Sequence, residues 1–402
     1  MASTIKSDNG VSSGVTGIVQ TADSSGQLAL QTTNSAGTAV TALTLNNSQQ
    51  ATFANTINVP NTFGFKNRII NGAMVIDQRN AGASVATPAG YTLDRWQVLQ
   101  STTGKISTQQ NQGSVTPPSG FSNYLGVTSG SAYSVGSGDY YLILQNIEGY
   151  NVADLGYGTA NAKTVTISFQ VYSSLTGTFG GALTNGAGTR SYPFTYTVVS
   201  ANTWTTISVT IAGDTTGTWG STNSVGMQLI FGLGVGSTHS GTPGSWSNSA
   251  YYSATGAVSV VGTNGATFYI TGVQLEVGTQ ATSFDYRPFT TELALCQRYC
   301  FVPNLTYNNY SGVCNSTTSG LVSLSLPVPM RIAPAGTFSG SFSGDNGLVV
   351  QTYSAANVSL NNSGVNTVRV YFTGGSGTAF TGGQAFGSNA ASTGTIILSS
   401  EL

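Results

Sequence analysis

The sequence predicts an all-β protein, on three observations. Short runs alternate apolar and polar residues at period two, loops rich in Gly, Ser, Thr and Asn separate them, and only one stretch has helical spacing. The 19 Tyr and 17 Phe are enough to build real cores, which argues against a disordered chain.

Residues 1–60 form the first zone. "GQLALQTTNSAGTAVTALTLNNSQQATFANTINVP" spaces Leu28, Leu30, Val40, Leu43, Leu45, Phe53 and Ile57 as half-buried strand residues, with Asn-Ser-Ala-Gly and Asn-Asn-Ser-Gln as turns. Strands this thin cannot bury an apolar face alone. Several copies sharing their stripes around one axis can, so the zone is expected to be an oligomeric β-rich stalk or anchor.

Residues 61–289 carry the longest series of strand-like runs. They are "YYLILQNI" (140–147), "KTVTISFQVYS" (163–173), "SYPFTYTVV" (191–199), "TWTTISVTIAG" (203–213), "GMQLIFGLGV" (226–235) and "ATFYITGVQLEVG" (266–278). Many short strands between turn-rich loops indicate a β-sandwich or barrel. "TTELALCQRYC" (290–300) is the helix, capped by Thr290 or Thr291, with Glu292 in its first turn and Arg298 near its end. It is expected to connect two domains. Residues 301–402 return to β in "GLVSLSLPVPMRIAP", "NTVRVYFTG" and "TGTIILSSEL", a small C-terminal β domain.

Charge is scarce. Charged residues are 6% of the chain and formal net charge is −1, against about 25% charged in an ordinary domain. Long-range steering of nucleic acid or anionic membrane is therefore not expected. No run approaches the roughly 20 apolar residues of a membrane span, and the N-terminus lacks a secretory pattern. The chain is therefore expected to be made and assembled in the cytoplasm, and to leave a cell, if it does, by lysis or as part of a larger particle.

No enzymatic activity and no cofactor are expected. The single histidine, His239, sits in "GVGSTHSGTPG", and no Gly-x-Ser-x-Gly elbow, phosphate loop or dinucleotide fingerprint occurs. Cys296, Cys300 and Cys314 read as buried free thiols and not as metal ligands. A carboxylate pair of the glycosidase kind is the remaining catalytic alternative.

The few charges gather in two segments, "KNRIINGAMVIDQRNAG" with the nearby Asp94–Arg95, and "LEVGTQATSFDYRPFTTELALCQRYC". These bracket the large β region. If its first and last strands are neighbours, Arg68, Arg79, Asp94 and Arg95 can join Asp285 and Arg287 in one partly buried structural network beside Trp96 and Tyr286.

The same segments carry a resemblance. Asn67, Ile69, Asn71, Gly72, Met74, Ile76, Gln78 and Arg79, then Tyr91, Asp94, Arg95 and Trp96, resemble the opening pattern of a family of bacteriophage tail-fibre and virion-appendage proteins. Gln274, Leu275, Glu276, Gly278, Ala281, Phe284, Arg287 and Pro288, then Glu292, Leu293, Cys296, Gln297, Arg298 and Tyr299, are similar to its closing half. "QNIEGYNVADL" and "LPVPMRIAP" fit the same pattern, and residues 20–58 resemble fibre attachment segments. The resemblance implies a jelly-roll, carbohydrate-binding-module-like domain, a place on the virion and a homotrimer. The expected partners are further copies of the chain, another virion protein at the N-terminal segment, and a host-surface polysaccharide.

The family pattern supplies no ligand residues. Sugar binding calls for flat rings against pyranose faces, with amides and hydroxyls beside them. Loop aromatics outside the matched motifs are the candidates: Tyr133, Trp219, Trp246, Tyr251 and Tyr252, with "GSWSNSAYYS" (244–253) the densest group. The expected function is a receptor-binding fibre. The alternative is a head-fibre, capsid-decoration or tail-adaptor protein without a ligand.

Overall fold

The computed structural model describes residues 8–9, 16–17, 28–33, 39–45, 51–53, 65–304, 311–388 and 392–402. The chain divides into two compact units, Met1–Val59 and Pro60–Leu402.

In the first unit, Leu28–Thr33, Ala39–Leu45 and Ala51–Phe53 form a three-stranded antiparallel sheet, and Asp8–Asn9 pairs with Thr16–Gly17. Register places Leu30 opposite Leu43 and Leu43 opposite Phe53. Leu30 is 44% exposed and Leu45 36%. Ile57 lies outside the described residues.

The second unit begins with a jelly-roll β-sandwich. Its strands are β1 (Gly90–Leu93), β2 (Trp96–Gln100), β3 (Ile106–Gln110), β4 (Leu125–Ser129), β5 (Tyr140–Glu148), β6 (Val165–Ser173), β7 (Gly177–Asn185), β8 (Ser191–Val198), β9 (Thr205–Ile211), β10 (Val225–Val235) and β11 (Thr267–Val277). One sheet runs β8-β7-β10-β5-β2-β1 and the other β9-β6-β11-β4-β3, with every neighbour antiparallel. Alternation along the strands sends one set of side chains inward. Phe231 lies 5.0 Å from Phe169 and 6.4 Å from Trp96 and Phe194, ring centre to ring centre. Each such ring buries about 150–250 Å², worth roughly 4–6 kcal/mol before entropy is counted.

The outer faces of the two sheets differ. Over the six-stranded sheet, the segment from Ser240 to Val258 folds back, with Gly244 N–H on the Pro193 carbonyl and Val258 N–H on that of Thr178. Leu142, Leu144 and Ile230 are buried on that side with Tyr252 packed against them. A Cβ at Gly180 would lie 2.3 Å from Ser253 Oγ, so β7 needs glycine where this segment crosses it.

The helix, α1, spans Phe289–Gln297 and starts earlier than the sequence suggests. Pro288 occupies the capping position and no side chain caps it, so neither Thr290 nor Thr291 does; both fall within the first turn. Glu292 has a different task, accepting the Asn71 N–H and pairing with Arg287. Cys296 and Tyr299 pack on Ile70 and Ile76, while Cys300 has already entered a strand, Cys300–Phe301. Burial pushes the Cys296 and Cys300 thiols up.

Beyond the helix, an eight-stranded and a three-stranded sheet enclose a second core around Phe342, Tyr353, Phe372 and Phe386. Thr395–Ser399 pairs with both Cys300–Phe301 and Ala335–Ser339. Ser400–Leu402 then runs back to the sandwich. Arg331 donates to the Ser400 and Glu401 carbonyls at 2.7 and 2.6 Å, and Tyr91 Oη donates to the Leu402 carbonyl at 2.8 Å.

This return explains the charge pattern and corrects the single-network expectation. Arg95, on the turn between β1 and β2, is buried, pairs with Glu401, donates to the Asn146 carbonyl and lies 3.7 Å from the Tyr299 ring centre. Arg79 reaches Glu401 at 3.1 Å and stands 4.0 Å from Asp94. Arg287 pairs separately with Asp285 (3.8 Å) and Glu292 (3.3 Å), and Arg68 with half-exposed Asp154 (2.8 Å). The groups divide because Glu401 arrives from the far C-terminal region to neutralise the Arg79–Arg95 pair. Tyr286 is not part of a buried network: it is 59% exposed.

Candidate functional site

The outer face of the five-stranded sheet is the candidate site. Outward positions alternate with the core residues along β6 and β9, while the central strand β11 is buried along nearly its whole length. At one end stand Tyr172 on β6, Tyr269 on β11, Tyr124 just before β4 and Trp204 just before β9. Tyr172 and Tyr269 are register partners and stack at 5.4 Å with 8° between planes. Tyr124 stacks on Tyr269 at 5.1 Å, and Trp204 lies 5.5 Å from both Tyr172 and Tyr124. Tyr124 and Tyr269 are buried, and Trp204 and Tyr172 are half-exposed. Burial pushes the Tyr124 and Tyr269 phenols up, so both remain protonated donors at neutral pH.

From these rings the face continues as hydroxyls and amides: exposed Thr206, Ser208 and Thr210 beside half-buried Gln170 and Ser168. Thr206 Oγ1 donates to Gln170 Oε1 at 3.1 Å, and Thr166 and Thr210 share a hydrogen bond at 3.1 Å. A loop, Asn111–Ser122, borders the face. Its Thr116 carbonyl accepts the Trp204 indole N–H at 2.8 Å, and its Val115 N–H donates to Tyr124 Oη at 2.9 Å.

The same loop ends at a cleft of about 170 Å³ lined by Phe121, Ser122, Phe284, Asp285, Tyr286 and Arg287, among others. Among the described residues, no three His, Cys, Asp or Glu stand close enough together to hold a metal ion.

The five aromatics singled out from sequence lie elsewhere and apart. Trp219 and Trp246 meet edge-on at 5.5 Å, with Tyr157 and Tyr192 against them. Their indole N–H groups are committed to the Thr216 and Ala212 carbonyls, and the Arg190–Asp214 pair at 2.7 Å braces the corner. Hydrogen bonds from Arg190 and Thr216 outweigh burial and hold the Asp214 carboxyl below its usual range. Tyr252 stacks on His239 at 4.9 Å on the covered side of the other sheet, and Tyr251 packs on Gly241. Tyr133 donates to Asp139 at 3.0 Å beside Lys105. These rings fix loops in place.

Sequence reading passed over Trp204 and Tyr172 because both sit in runs taken as plain strands. Their signal was there: in "SFQVYS", Tyr172 falls on the polar phase of the alternation, opposite to core residues Phe169 and Val171.

No protein-family model and no curated protein matches the chain. Among solved structures, the chain is similar to a tailspike protein 4 enzymatically active domain of bacteriophage CBA120 at 11% identity and TM-score 0.31, over 53% of this chain and 22% of that one. It is also similar to a putative sugar-binding protein from Bacteroides thetaiotaomicron at 13% identity and TM-score 0.31, over 53% of this chain and 100% of that one. A family 11 carbohydrate-binding module from Clostridium thermocellum, in complex with a mixed-linked tetrasaccharide, aligns at 14% identity and TM-score 0.26, over 47% of this chain and 91% of that one.

Proposed function

We propose that the protein is a non-catalytic phage virion fibre, attached by its N-terminal unit, which as a homotrimer recognises a host-surface glycan on the outer face of its five-stranded sheet. The observation that carries the glycan reading is the pairing, on one open face, of half-exposed Trp204 and Tyr172 with rows of Ser, Thr and Gln side chains. Aromatic faces complement the C–H faces of pyranoses, and hydroxyls and amides serve as both donors and acceptors toward sugar hydroxyls. A nearly uncharged surface suits neutral polysaccharide, and three copies would convert weak contacts into avidity. The stalk reading is supported by Leu30 and Leu45, which a single chain leaves exposed.

The test is a glycan array and an adsorption-competition assay with purified protein whose mass is checked by sedimentation. Wild type is expected to sediment as a trimer, bind a defined set of polysaccharides and block adsorption. Trp204→Ala is expected to lose at least about tenfold in binding, in the range of aromatic hot spots, with an unchanged circular dichroism spectrum. Equal binding by the folded variant removes the face from consideration. A glycan-silent trimer that does not compete supports a purely structural fibre.

A further inference from the structure

We propose that the cleft beside this face is a separate subsite for a neutral sugar bearing an N-acyl group, an assignment that rests on the glycan reading above. The cleft encloses about 170 Å³. That is below the roughly 300 Å³ at which drug-sized ligands begin to fit, so it takes one substituent with part of its ring.

Its lining has two chemistries. Phe121, Phe284 and Tyr286 form an aromatic trio with centroids 4.9–5.6 Å apart, and Ala73 and Val75 extend the apolar surface. Tyr286 Oη is tied to the Gly120 carbonyl at 2.8 Å, which holds the exposed ring at the cleft.

The polar part is Asp285. Its Oδ2 accepts the Asn67 N–H at 3.2 Å and stands 3.8 Å from Arg287 Nε. An ionised carboxylate offers about four acceptor positions, so Asp285 retains capacity for a ligand donor. The Arg287 guanidinium is already engaged by Glu292 and the Asn67 and Ile69 carbonyls. Two carboxylates against one guanidinium leave the lining net negative.

An acetamido group satisfies both chemistries. Its methyl buries against the apolar wall and its N–H donates to Asp285. A plain hydroxyl brings no methyl, and a carboxylate meets like charge.

Ligand-observed NMR titration of the full chain with N-acetylglucosamine, glucose and glucuronic acid tests this. N-acetylglucosamine is expected to bind at least about tenfold more tightly than either of the others, the discrimination that one apolar substituent confers. Asp285→Asn, which keeps an oxygen for the Asn67 N–H, is expected to weaken N-acetylglucosamine binding and to lose the discrimination against glucuronic acid. Ser122→Trp, at an exposed position on the rim, is expected to block the cleft without disturbing the fold. Both variants should retain Trp204-dependent polysaccharide binding. Equal binding of the three sugars, or undiminished N-acetylglucosamine binding by Ser122→Trp, overturns the assignment while leaving the sheet face standing. Absence of polysaccharide binding by the wild type would instead strike the glycan reading.

Discussion

Arg95→Ala lowers the unfolding free energy by about 3–5 kcal/mol, the usual cost of removing one partner from a buried ion pair. The guanidinium is buried, and its ion-pair partner Glu401 has a side chain only 6% exposed. Without Arg95, the Glu401 carboxylate keeps only Arg79 as a counter-charge. The Asn146 carbonyl and the face of Tyr299 lose their cation as well. Urea titrations of wild type, Arg95→Ala and Arg95→Met/Glu401→Leu make the comparison. The double variant is expected to recover much of the loss, because the penalty comes from the stranded charge more than from the missing pair. A single variant with a wild-type midpoint would refute the account.

Raising the pH from about 4 to about 7 is expected to remove a contribution that Asp94 makes to stability. Burial, with added repulsion from Glu401 and Asp77, pushes its carboxyl up from 3.8 to about 7, against the lowering effects of the Gln78 hydrogen bond and Arg79. Its Oδ2 accepts from Gln78 Nε2 at 2.6 Å, while its Oδ1 is buried without a hydrogen bond among the described residues. The folded state therefore holds this proton more tightly than the unfolded chain. The contribution is complete below the unfolded value, disappears as pH passes through about 7, and has a slope of at most about 1.4 kcal/mol per pH unit. Asp94→Asn is expected to flatten that part of the profile, gaining relative to wild type at about pH 8. Identical slopes in the two proteins, followed by urea midpoints across pH, would exclude Asp94 as the titrating group.

Much of the sandwich was legible because β5, β6, β8, β10 and β11 are long runs, β6 alternating and β5, β10 and β11 almost continuously buried, so their pattern survives any error at the ends. β7 was not legible. Gly180 and Gly181 remove the outward and inward side chains where Ser253 and the Ile230 carbonyl approach, and the period-two signal vanishes with them. β1 to β4 are only four or five residues long, too short for alternation to stand out. The charge clusters suggested one network, whereas the pairs form separate groups, and the decisive acid, Glu401, lies 306 positions from Arg95.

The aromatic cluster on the five-stranded sheet was missed for a related reason. A tyrosine facing outward from a strand and one facing the core look alike until the neighbouring strand is known. Register with Tyr269 is what brings Tyr172 into a stack, and register is a long-range property. Loop aromatics such as Trp246 attracted notice by crowding together, and they pack edge-on against one another beside the Arg190–Asp214 pair.

The return of Ser400–Leu402 to the sandwich has a kinetic corollary. During synthesis the turn at Arg95 is complete long before residue 401 leaves the ribosome, so its guanidinium waits hydrated and the base of the sandwich stays ajar. Closure of the Arg79–Arg95 corner then waits for the segment that carries Glu401. The nascent chain would therefore pass through a loosely latched form, and whatever shields that form from sticking to its neighbours acts before Glu401 is in place.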